Sequence, residues 1–395
     1  MLIDKIQKLA AHIWQDVVQN RRHLHRHPEL SFQEYKTAAF IKDQLDQMGI
    51  PYSVMADTGV VAVLQGHQSS DSVVALRADI DALPITETNE VEYKSCHSGI
   101  MHACGHDVHT ASLLGVARIL QELKEDFGGT VKLIFQPAEE LLPGGAAAMI
   151  REGVLQNPAP GAVLGQHTMP LLPSGKISIR PGSFMASMDE LYVTVHGKGG
   201  HGAQPHQNID PVLIASHIIV ALQQVVSRAA HPKNPTVLSF GKFIANGSCN
   251  VIPDQVVLEG TFRALDETWR AEAHRLMQKM ATGIAEAMGG QCEFNIRKGY
   301  PSLHNNEALT HQLRQWAGTY LGAENVVEQD IWMAAEDFAY YAQQVPSCFY
   351  LLGTGNVQQG ITSSLHTPTF NIDETALQHS TGLMAYLALR QLGNE

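Results

Sequence analysis

Three apolar segments that follow one another along the chain each end in polar side chains, and this pattern strongly limits the folds available. They are residues 72–79, which end at Asp79; residues 130–135, followed by Glu139–Glu140; and residues 162–165, followed by His167. Nearly continuous apolar runs of this length are typical of strands that are covered on both faces of a sheet. Open α/β sheets carry their functional sites at the carboxyl ends of such strands. The sequence therefore predicts an α/β fold with one site at that edge.

The densest group of potential metal ligands lies in the stretch Met101–Thr110, which contains three histidines, a cysteine and an aspartate. Thiolate, imidazole and carboxylate groups are the donors that bind a borderline divalent metal. The apolar residues that follow recur at helical spacing, so the loop with Cys104 and His106 is expected to enter a buried helix. A single buried cysteine or histidine is a common core residue, but this density of donors favours a metal site. Two local ligands do not complete a site, so we expect partners from the rest of the chain.

The order of the predicted elements divides the 395 residues into two domains. A chain of this length exceeds one ordinary core. The first part predicts helices at 1–27, 32–48, 108–123 and 146–152 and strands at 53–56 and 59–65, besides the three apolar strands. From about residue 184, strands at 191–196, 236–244, 255–264 and 291–296 and helices at 212–228 and 267–288 follow in the order β-α-β-β-α-β. This split βαβ order predicts a compact insertion, so residues 1–183 and 298–395 form one domain and residues 184–297 another.

The basic and histidine-rich end of the first helix, residues 21–27, is interpreted as solvated, with its cations near the helix C-terminus.

Composition and charge exclude several functions. The formal net charge is −12 and no basic run is present, which argues against nucleic acid as a partner. No apolar run is expected to reach the length of a membrane span, so no membrane partner is expected. The first ten residues form an amphipathic helix with internal charges and not a signal peptide. Five scattered cysteines do not make a disulfide framework, which favours the cytoplasm.

Five short motifs in this order resemble the signature of the M20 metallopeptidase superfamily. They are Arg77–Pro84, Met101–Asp107, Gln136–Glu140, Gly165–His167 and Leu365–Pro368. More narrowly, they are similar to its amidohydrolase branch, subfamily D, which includes N-acyl-amino-acid amidohydrolases, hippurate hydrolases and plant auxin-conjugate hydrolases. The resemblance covers essentially the whole chain. It implies a zinc-peptidase-like catalytic domain, with a mixed central sheet flanked by helices, and an inserted ferredoxin-like lid domain.

The resemblance also implies two divalent metal ions per subunit, manganese or zinc first and nickel or cobalt as alternatives. The implied metal ligands are Cys104, His106, Glu140, His167 and His366. Neighbouring glutamates can divide their roles: Glu140 binds metal while Glu139, as general base, moves a proton from water to the leaving amine. A thiolate can donate to two ions, so Cys104 is expected to bridge them. No nucleophile elbow is present, so a metal-activated water and not an acyl-enzyme is expected.

Further residues carry roles that the resemblance implies less directly. His201, in a glycine-rich turn of the insertion, corresponds to the histidine that stabilises the oxyanion, often from the partner subunit. Asn250 and Arg263 resemble substrate-binding residues of the lid, and Asp79 resembles the carboxylate that orients a ligand. His109 is expected to be structural.

Two departures from the two-zinc members of the superfamily leave the identity of the bound metal undecided. Arg77 replaces a histidine, and the Cys104/His106 pair replaces a bridging aspartate. In addition, Ala334-Ala335 precedes Glu336, where the branch has Gly-Ser.

The predicted function is hydrolysis of the amide bond of N-acyl amino acids, small molecules that the lid would enclose; a homodimer through the lid is also expected. A dipeptidase and an N-acetyl-diaminopimelate deacetylase are alternatives within the hydrolases, because pocket shape sets specificity. A catalytically silent metal-binding protein is the alternative outside the enzymes. A thiol redox protein using Cys96 and Cys104 is disfavoured, since no Cys-x-x-Cys occurs.

Overall fold

The computed structural model describes residues 1–394, which form two compact units. Unit 1 consists of Met1–Gly182, His304–Asp330 and the residues from Asp337 onward. Unit 2 consists of Ser183–Leu303 and the short segment Ile331–Glu336. The chain therefore leaves unit 1 twice: first for the long segment of unit 2 and later for its short second segment.

The helices and strands of the described residues are numbered here in chain order. The helices are α1 Leu2–Arg26, α2 Tyr35–Gln47, α3 His106–Glu122, α4 Gly145–Arg151, α5 Pro211–Gln224, α6 Glu267–Ala287, α7 Glu307–Leu321, α8 Ala339–Ala342 and α9 Thr375–Gln391. The strands are β1 Tyr52–Met55, β2 Gly59–Gln65, β3 Gln68–Asp79, β4 Gly128–Gln136, β5 Ala162–Pro173, β6 Ile177–Ile179, β7 Gly182–Met185, β8 Asp189–His196, β9 Gly200–His201, β10 Thr236–Ala245, β11 Val251–Ile252, β12 Gln255–Ala264, β13 Gln291–Lys298, β14 Leu303–Asn305, β15 Val326–Glu328 and β16 Ser347–Gly355.

The core of unit 1 is a mixed sheet of eight strands in the order β1-β2-β4-β3-β5-β16-β6-β15. Its central strands β4, β3, β5 and β16 are parallel to one another, while β1, β2 and β6 introduce antiparallel pairs. Asp79 lies opposite Gln136, and Arg77 lies opposite Gly165. The three apolar strands of the sequence are thus neighbours, and their polar ends reach the same edge. The predicted α/β fold with a mixed central sheet is confirmed.

Helix α3 is the most deeply buried helix of unit 1. It packs against α1 and α9 and against the face of β3, and nearly all of its side chains are buried. A helix that is apolar on all sides is stable only when neighbours cover it completely. The first turn of α3, which carries His106, is therefore held rigidly over the sheet edge.

Arg21 and His25 in the basic end of α1 are buried, which corrects the expectation of a solvated end for these two residues, whereas His23 and Arg26 are exposed. The Arg21 guanidinium lies 2.7 Å from the Asp107 carboxylate, and His25 Nδ1 lies 2.8 Å from it. All three side chains are inaccessible to water. Burial raises the pKa of Asp107, but the nearby Arg21 and His25 outweigh it and hold that pKa far below its usual range. The prediction was wrong because the partner, Asp107, lies on a distant helix that the local pattern does not reveal.

Unit 2 contains a four-stranded antiparallel sheet in the order β10-β12-β8-β13, with α5 and α6 packed on it. Read along the chain, the module is β-α-β-β-α-β, as the sequence predicts. Both helices begin at an aspartate N-cap: Asp210 Oδ1 accepts from Val212 N, and Asp266 Oδ1 accepts from Trp269 N.

One segment of unit 2, Pro211–Ala229, is long and apolar enough to cross a membrane by length and composition alone. This corrects the expectation that no apolar run approaches that length, because Ser216 and His217 interrupt the run without lowering its average much. In unit 2 its first part is α5, which buries Ile218 and Leu222 among the other apolar residues of the unit.

Candidate metal centre

A left-handed glycine brings Cys104 and His106 to the same side of the loop before α3. Gly105 is the N-cap of α3 and has a φ of +84°, a conformation that glycine adopts without a steric penalty. A Cβ at this position would lie 2.5 Å from Thr168 Oγ1 on β5. Only glycine therefore fits between the two candidate ligands, and the turn sets them against the edge of β5.

The five predicted metal ligands converge in two groups of three that share Cys104. One group is Cys104, His106 and His167, and the other is Cys104, Glu140 and His366. Within each group, one donor atom per residue lies within 4.8 Å of the others. Cys104 Sγ lies 3.3 Å from His167 Nε2 and 3.2 Å from His366 Nε2. The shared thiol is the arrangement that a bridging ligand requires.

Two buried donor atoms of this cluster fit a metal because the described residues offer them no hydrogen-bond partner. They are His106 Nε2 and Glu140 Oε1, which lie 3.9 Å apart. His366 Nε2 lies 3.2 Å from the same Glu140 oxygen. A buried polar atom without a partner is costly, and a cation among these lone pairs would satisfy all of them. The donor set thus fits divalent metal ions.

Backbone carbonyl oxygens orient two of the histidine rings. His106 Nδ1 donates to the carbonyl oxygen of Asp81 at 2.9 Å, and His167 Nδ1 donates to that of Thr168 at 2.8 Å. When the ring is neutral, as it must be to bind a metal, Nε2 then carries the lone pair. This is the usual support of a metal-binding imidazole, in which the other ring nitrogen is held by a hydrogen bond.

Asp81 is a supporting residue to which the sequence analysis assigned no role. Its two carboxylate oxygens accept from the backbone N–H groups of Glu139 and Glu140, each at 3.0 Å. Oδ1 also lies 3.2 Å from His106 Nδ1. One carboxylate thus holds both the glutamate pair and a candidate ligand in place. The signal in the sequence was its position two residues after Asp79, at the same strand end.

Asp79, predicted to orient a ligand, lies among three basic side chains. Its Oδ1 lies 2.5 Å from His109 Nδ1, and its Oδ2 lies 2.8 Å from Arg77 Nη1 and 3.6 Å from His106 Nε2. Burial raises the pKa of Asp79, but His106, His109 and Arg77 outweigh it and lower that pKa well below its ordinary value. His109 uses its other nitrogen to accept from Thr168 N at 2.9 Å, so both of its nitrogens are engaged. This is consistent with a structural His109.

The protonation states of the side chains in this cluster depend on their burial and on neighbouring charged groups. Burial lowers the pKa of His106, but Asp79 and Asp81 outweigh it and raise that pKa to about 10. Burial and the neighbouring His109 lower the pKa of His167 well below its usual range. Burial and the carboxylates of Glu140 and Glu139 raise the pKa of Cys104 far above its usual range. A metal must therefore displace protons from His106 and Cys104, so its binding should depend on pH.

Glu139 is buried at the end of a tight turn beside the cluster. One of its oxygens belongs to a group with His106 and Glu140 within 4.8 Å. The preceding Ala138 has a φ of +50°, and its N–H donates to the buried Glu34 carboxylate at 2.8 Å. Burial and the nearby Asp81 raise the pKa of Glu34 to about 7. Glu34 is a second positioning residue that the sequence analysis missed.

The three remaining predicted residues lie in unit 2. His201 is exposed on β9 and pairs with Val251 of β11. Asn250 lies beside it, because its carbonyl oxygen accepts from Gly202 N at 2.8 Å. Arg263 is half-buried on β12 and donates to the Met333 carbonyl oxygen at 3.1 Å. The structure thus brings His201 and Asn250 together at the small two-stranded sheet of β9 and β11, with Arg263 on a separate strand.

The fold and the cluster define a class of protein: an α/β protein with a centre for two metal ions at the carboxyl edge of its sheet. Comparison with known proteins identifies the family. The model of peptidase family M20/M25/M40 matches residues 75–390, and the chain belongs to this family.

Similar proteins include two that are named as hydrolases and one solved structure. The chain is 45% identical over 306 residues to an N-acyl-L-amino acid amidohydrolase of Geobacillus stearothermophilus, covering 77% of this chain and 82% of that protein. It is 41% identical over 383 residues to the IAA-amino acid hydrolase ILR1-like 5 of Arabidopsis thaliana, covering 94% and 86%. The crystal structure of the Bacillus subtilis YXEP protein, described as a dinuclear metal binding peptidase of the M20 family, has a TM-score of 0.84 at 36% identity over 98% of this chain and 100% of that one.

Proposed function

We propose that this protein is a metal-dependent amidohydrolase that cleaves N-acyl amino acids into a carboxylic acid and a free amino acid. The observation that carries the proposal is the sharing of Cys104 by two ligand groups beside the buried Glu139. The similarity to the amidohydrolases of Geobacillus and Arabidopsis supports this class of substrate. Residues 1–183 and 298–395 would form the catalytic domain, and residues 184–297 the lid.

The five residues of the two groups would hold two divalent ions, manganese or zinc first. They are Cys104, His106, Glu140, His167 and His366. When bound, two such ions supply a water of lowered pKa and polarise the scissile carbonyl. Asp81 and the two backbone carbonyls keep the donors aligned, which limits reorganisation during the reaction.

Glu139 is proposed as the general base. It is adjacent in sequence to the proposed ligand Glu140, and Asp81 fixes the backbone of both. Its carboxylate would accept a proton from the attacking water and deliver it to the amine nitrogen of the leaving amino acid. The chemistry needs no covalent intermediate with the protein.

His201, Asn250 and Arg263 are proposed to bind the substrate from unit 2. His201 Nδ1 accepts from Ala203 N at 3.1 Å, so its Nε2 carries the proton and can donate to the developing oxyanion. Arg263 supplies a positive charge suited to the carboxylate of the amino acid, which an acidic chain must bind through local donors.

Unit 2 also supports the proposal of a homodimer, since it exposes apolar side chains on a helix and on the edge strand β10. They are Leu213, Val220, Phe243 and Ile244. Exposed edge strands and clustered apolar residues are typical of interfaces. Val220→Glu is expected to reduce the mass measured by light scattering, whereas Leu171→Glu, an equally exposed change in unit 1, is not. Equal masses for wild type and Val220→Glu would contradict the proposed homodimer.

The cytoplasm remains the proposed cellular compartment of this protein.

The test of the function is hydrolysis of a substrate panel by chelated protein after each metal is added back. The panel contains N-acetyl, N-benzoyl and indole-acetyl amino acids and simple dipeptides, and the metals are manganese, zinc, cobalt and nickel. Cleavage of acyl amino acids in preference to dipeptides is expected. Cleavage of dipeptides alone would favour a peptidase, as the description of the YXEP protein suggests for that relative. Bound metal without any cleavage would favour a silent metal-binding protein.

Variants separate the proposed roles. Glu139→Gln should lower kcat by roughly 10²–10⁴-fold, the usual contribution of a general base, while two metals stay bound. His201→Ala should also lose activity without losing metal. Normal turnover in Glu139→Gln would exclude its role as base, and normal turnover in His201→Ala would exclude the oxyanion role.

A further inference from the structure

A second group of metal-binding side chains lies outside the proposed centre, at the end of α1. His27, Cys96 and His97 each offer one donor atom, and these three atoms lie within 4.8 Å of one another. Cys96 Sγ lies 3.2 Å from His27 Nδ1. None of the three belongs to the five proposed ligands. The Cys96 side chain is exposed, whereas His27 and His97 are half-buried.

Hydrogen bonds to the backbone hold this group together independently of its three potential metal-binding side chains. Cys96 N donates to the Arg26 carbonyl oxygen at 2.9 Å, which fixes the loop to the last turn of α1. Ser95 Oγ accepts from His97 N at 3.1 Å and donates to the Ile100 carbonyl oxygen at 2.7 Å. The loop is therefore ordered before any ion binds, which keeps the entropic cost of binding low.

Both histidines are prepared to bind a cation. His97 Nδ1 lies 2.9 Å from the Pro28 carbonyl oxygen; since a carbonyl only accepts, Nδ1 carries the proton and Nε2 the lone pair. Burial, and then the charges of His97, Arg26 and Lys36, lower the pKa of His27, so its ring is neutral near pH 7. Arg26 and Lys36 are positive charges near His27 that disfavour an added cation, so the site depends on its three donor atoms.

We propose that His27, Cys96 and His97 form a third metal site, separate from the proposed two-metal centre and selective for zinc-like ions. One thiolate and two imidazoles are ligands of Zn²⁺, which takes a water or a further residue as its fourth ligand. His23 is a neighbour of this group, since its ring centroid lies 4.8 Å from that of His27. An ion at this site joins the end of α1 to the loop that leads to Cys104.

The experiment measures how fast iodoacetamide modifies Cys96 in protein already loaded with two metals per chain, with and without added Zn²⁺. Peptide mass spectrometry reads each cysteine separately. Zn²⁺ at more than ten times its Kd should slow modification of Cys96 at least about tenfold, because only the unoccupied site reacts. Cys249 is the internal control, since it is also exposed and its thiol lies beside Asn250 instead of a histidine pair, and its rate should not change.

His97→Ala is the decisive variant, because it keeps Cys96 and removes one ligand from a half-buried loop position. It should lose the zinc protection of Cys96, and Cys96→Ser should bind two zinc ions after dialysis where wild type binds three. His27→Ala should behave as His97→Ala does, with thermal denaturation checking that each variant folds. Unprotected Cys96 in wild type, or undiminished protection in His97→Ala, would overturn the proposal.

Discussion

Cys104 is the residue on which metal content should depend most, because it lies in both groups of proposed ligands. Cys104→Ala should weaken metal binding by more than the roughly 10–100-fold cost of losing an outer hydrogen bond, and it should leave fewer than two ions per chain after dialysis. Elemental analysis measures this. Cys348→Ala is the matched control, since Cys348 is also buried but lies beside Thr310. Two tightly bound ions in Cys104→Ala would contradict a bridging thiolate.

Asp81 should matter for metal affinity although it is not a proposed ligand. Asp81→Asn keeps the shape of the side chain but replaces one carboxylate oxygen with an NH2 group, which donates and cannot accept. The variant side chain can therefore accept from the backbone N–H group of Glu139 or of Glu140, but not from both as Asp81 does. We expect metal affinity to fall by roughly 10–100-fold, measured by competition with a chromogenic chelator. Wild-type affinity in this variant would show that the turn is held by other contacts.

Cys104 and Asp81 differ in how far their roles could be predicted from the sequence. The donor types and the shared motif pointed to Cys104. The role of Asp81 depends on the position of a turn 58 residues later in the chain relative to a strand end, and no local pattern encodes that. The prediction that Arg21 and His25 are solvated was wrong for the same reason, because both side chains pair with Asp107 on α3.

At the scale of single elements, the start of α3 offers a direct test of packing. Gly105→Ala should destabilise unit 1 in two ways: by about 1–2 kcal/mol for a left-handed alanine and by about 1–3 kcal/mol for the clash with Thr168. Gly99→Ala is the control, because Gly99 has a φ of +81° but nothing within 4 Å of an added Cβ. Chemical denaturation of both variants isolates the clash. Equal losses would mean that β5 yields without cost.

Helix α6 is tied to β8 by a buried ion pair. Asp189 Oδ2 accepts from Arg270 Nε at 2.9 Å and from His274 Nε2 at 2.6 Å, and both Asp189 and Arg270 are inaccessible. Asp189→Asn leaves Arg270 charged and poorly paired, so unit 2 should lose about 3–5 kcal/mol. Glu272→Gln, which breaks an exposed pair with Arg275 on the same helix, should not change the denaturation midpoint. A small loss in Asp189→Asn would show that the remaining acceptors of Arg270, the Glu267 carboxylate and the carbonyl oxygens of Met188 and Gly299, suffice.

The same pair sets a pH dependence. Burial raises the pKa of Asp189, but the hydrogen bonds from His274 and Arg270 outweigh it and lower that pKa. A carboxylate with a lowered pKa in the folded state adds stability that is present above its ordinary pKa and is lost as the pH falls through the folded value. The difference between wild type and Asp189→Asn should therefore shrink in acid. A constant difference from neutral pH to acid would contradict this.

Periodicity predicted most elements with bounds within a few residues, and the exceptions have local causes. Strand β5 continues to Pro173, beyond the predicted end at residue 165. Prolines at 170 and 173 are unfavourable inside a sheet, since proline cannot donate to a ladder, so the sequence carries no signal for this extension. Consequently His167 lies within a strand and not after one.

At the scale of the whole molecule, alternating strands and helices predicted a parallel sheet core, and the β-α-β-β-α-β order predicted the insertion. The sequence could not predict that Ile331–Glu336 belongs to unit 2. That assignment rests on pairing between Trp332 and Met185, which are far apart in the chain. Long-range pairing of a short segment has no local signature.

Metal removal should act on one unit and not on the other, because all five proposed ligands lie in unit 1. An ion at 100 times its Kd stabilises the folded state by about 2.7 kcal/mol, which shifts the midpoint of a domain of this size by about 5–10 °C. Calorimetry should show that EDTA lowers the midpoint temperature of the unit 1 transition by about this amount and that added Mn²⁺ restores it. Mn²⁺ is used because it should bind weakly to the thiolate and imidazole ligands of the His27–Cys96–His97 site. The unit 2 transition, followed by the fluorescence of Trp269 in a variant without the other tryptophans, should stay in place. In Cys104→Ala the EDTA shift should shrink. An unchanged unit 1 transition in wild type, or equal shifts in both units, would contradict a metal centre confined to the sheet edge of unit 1.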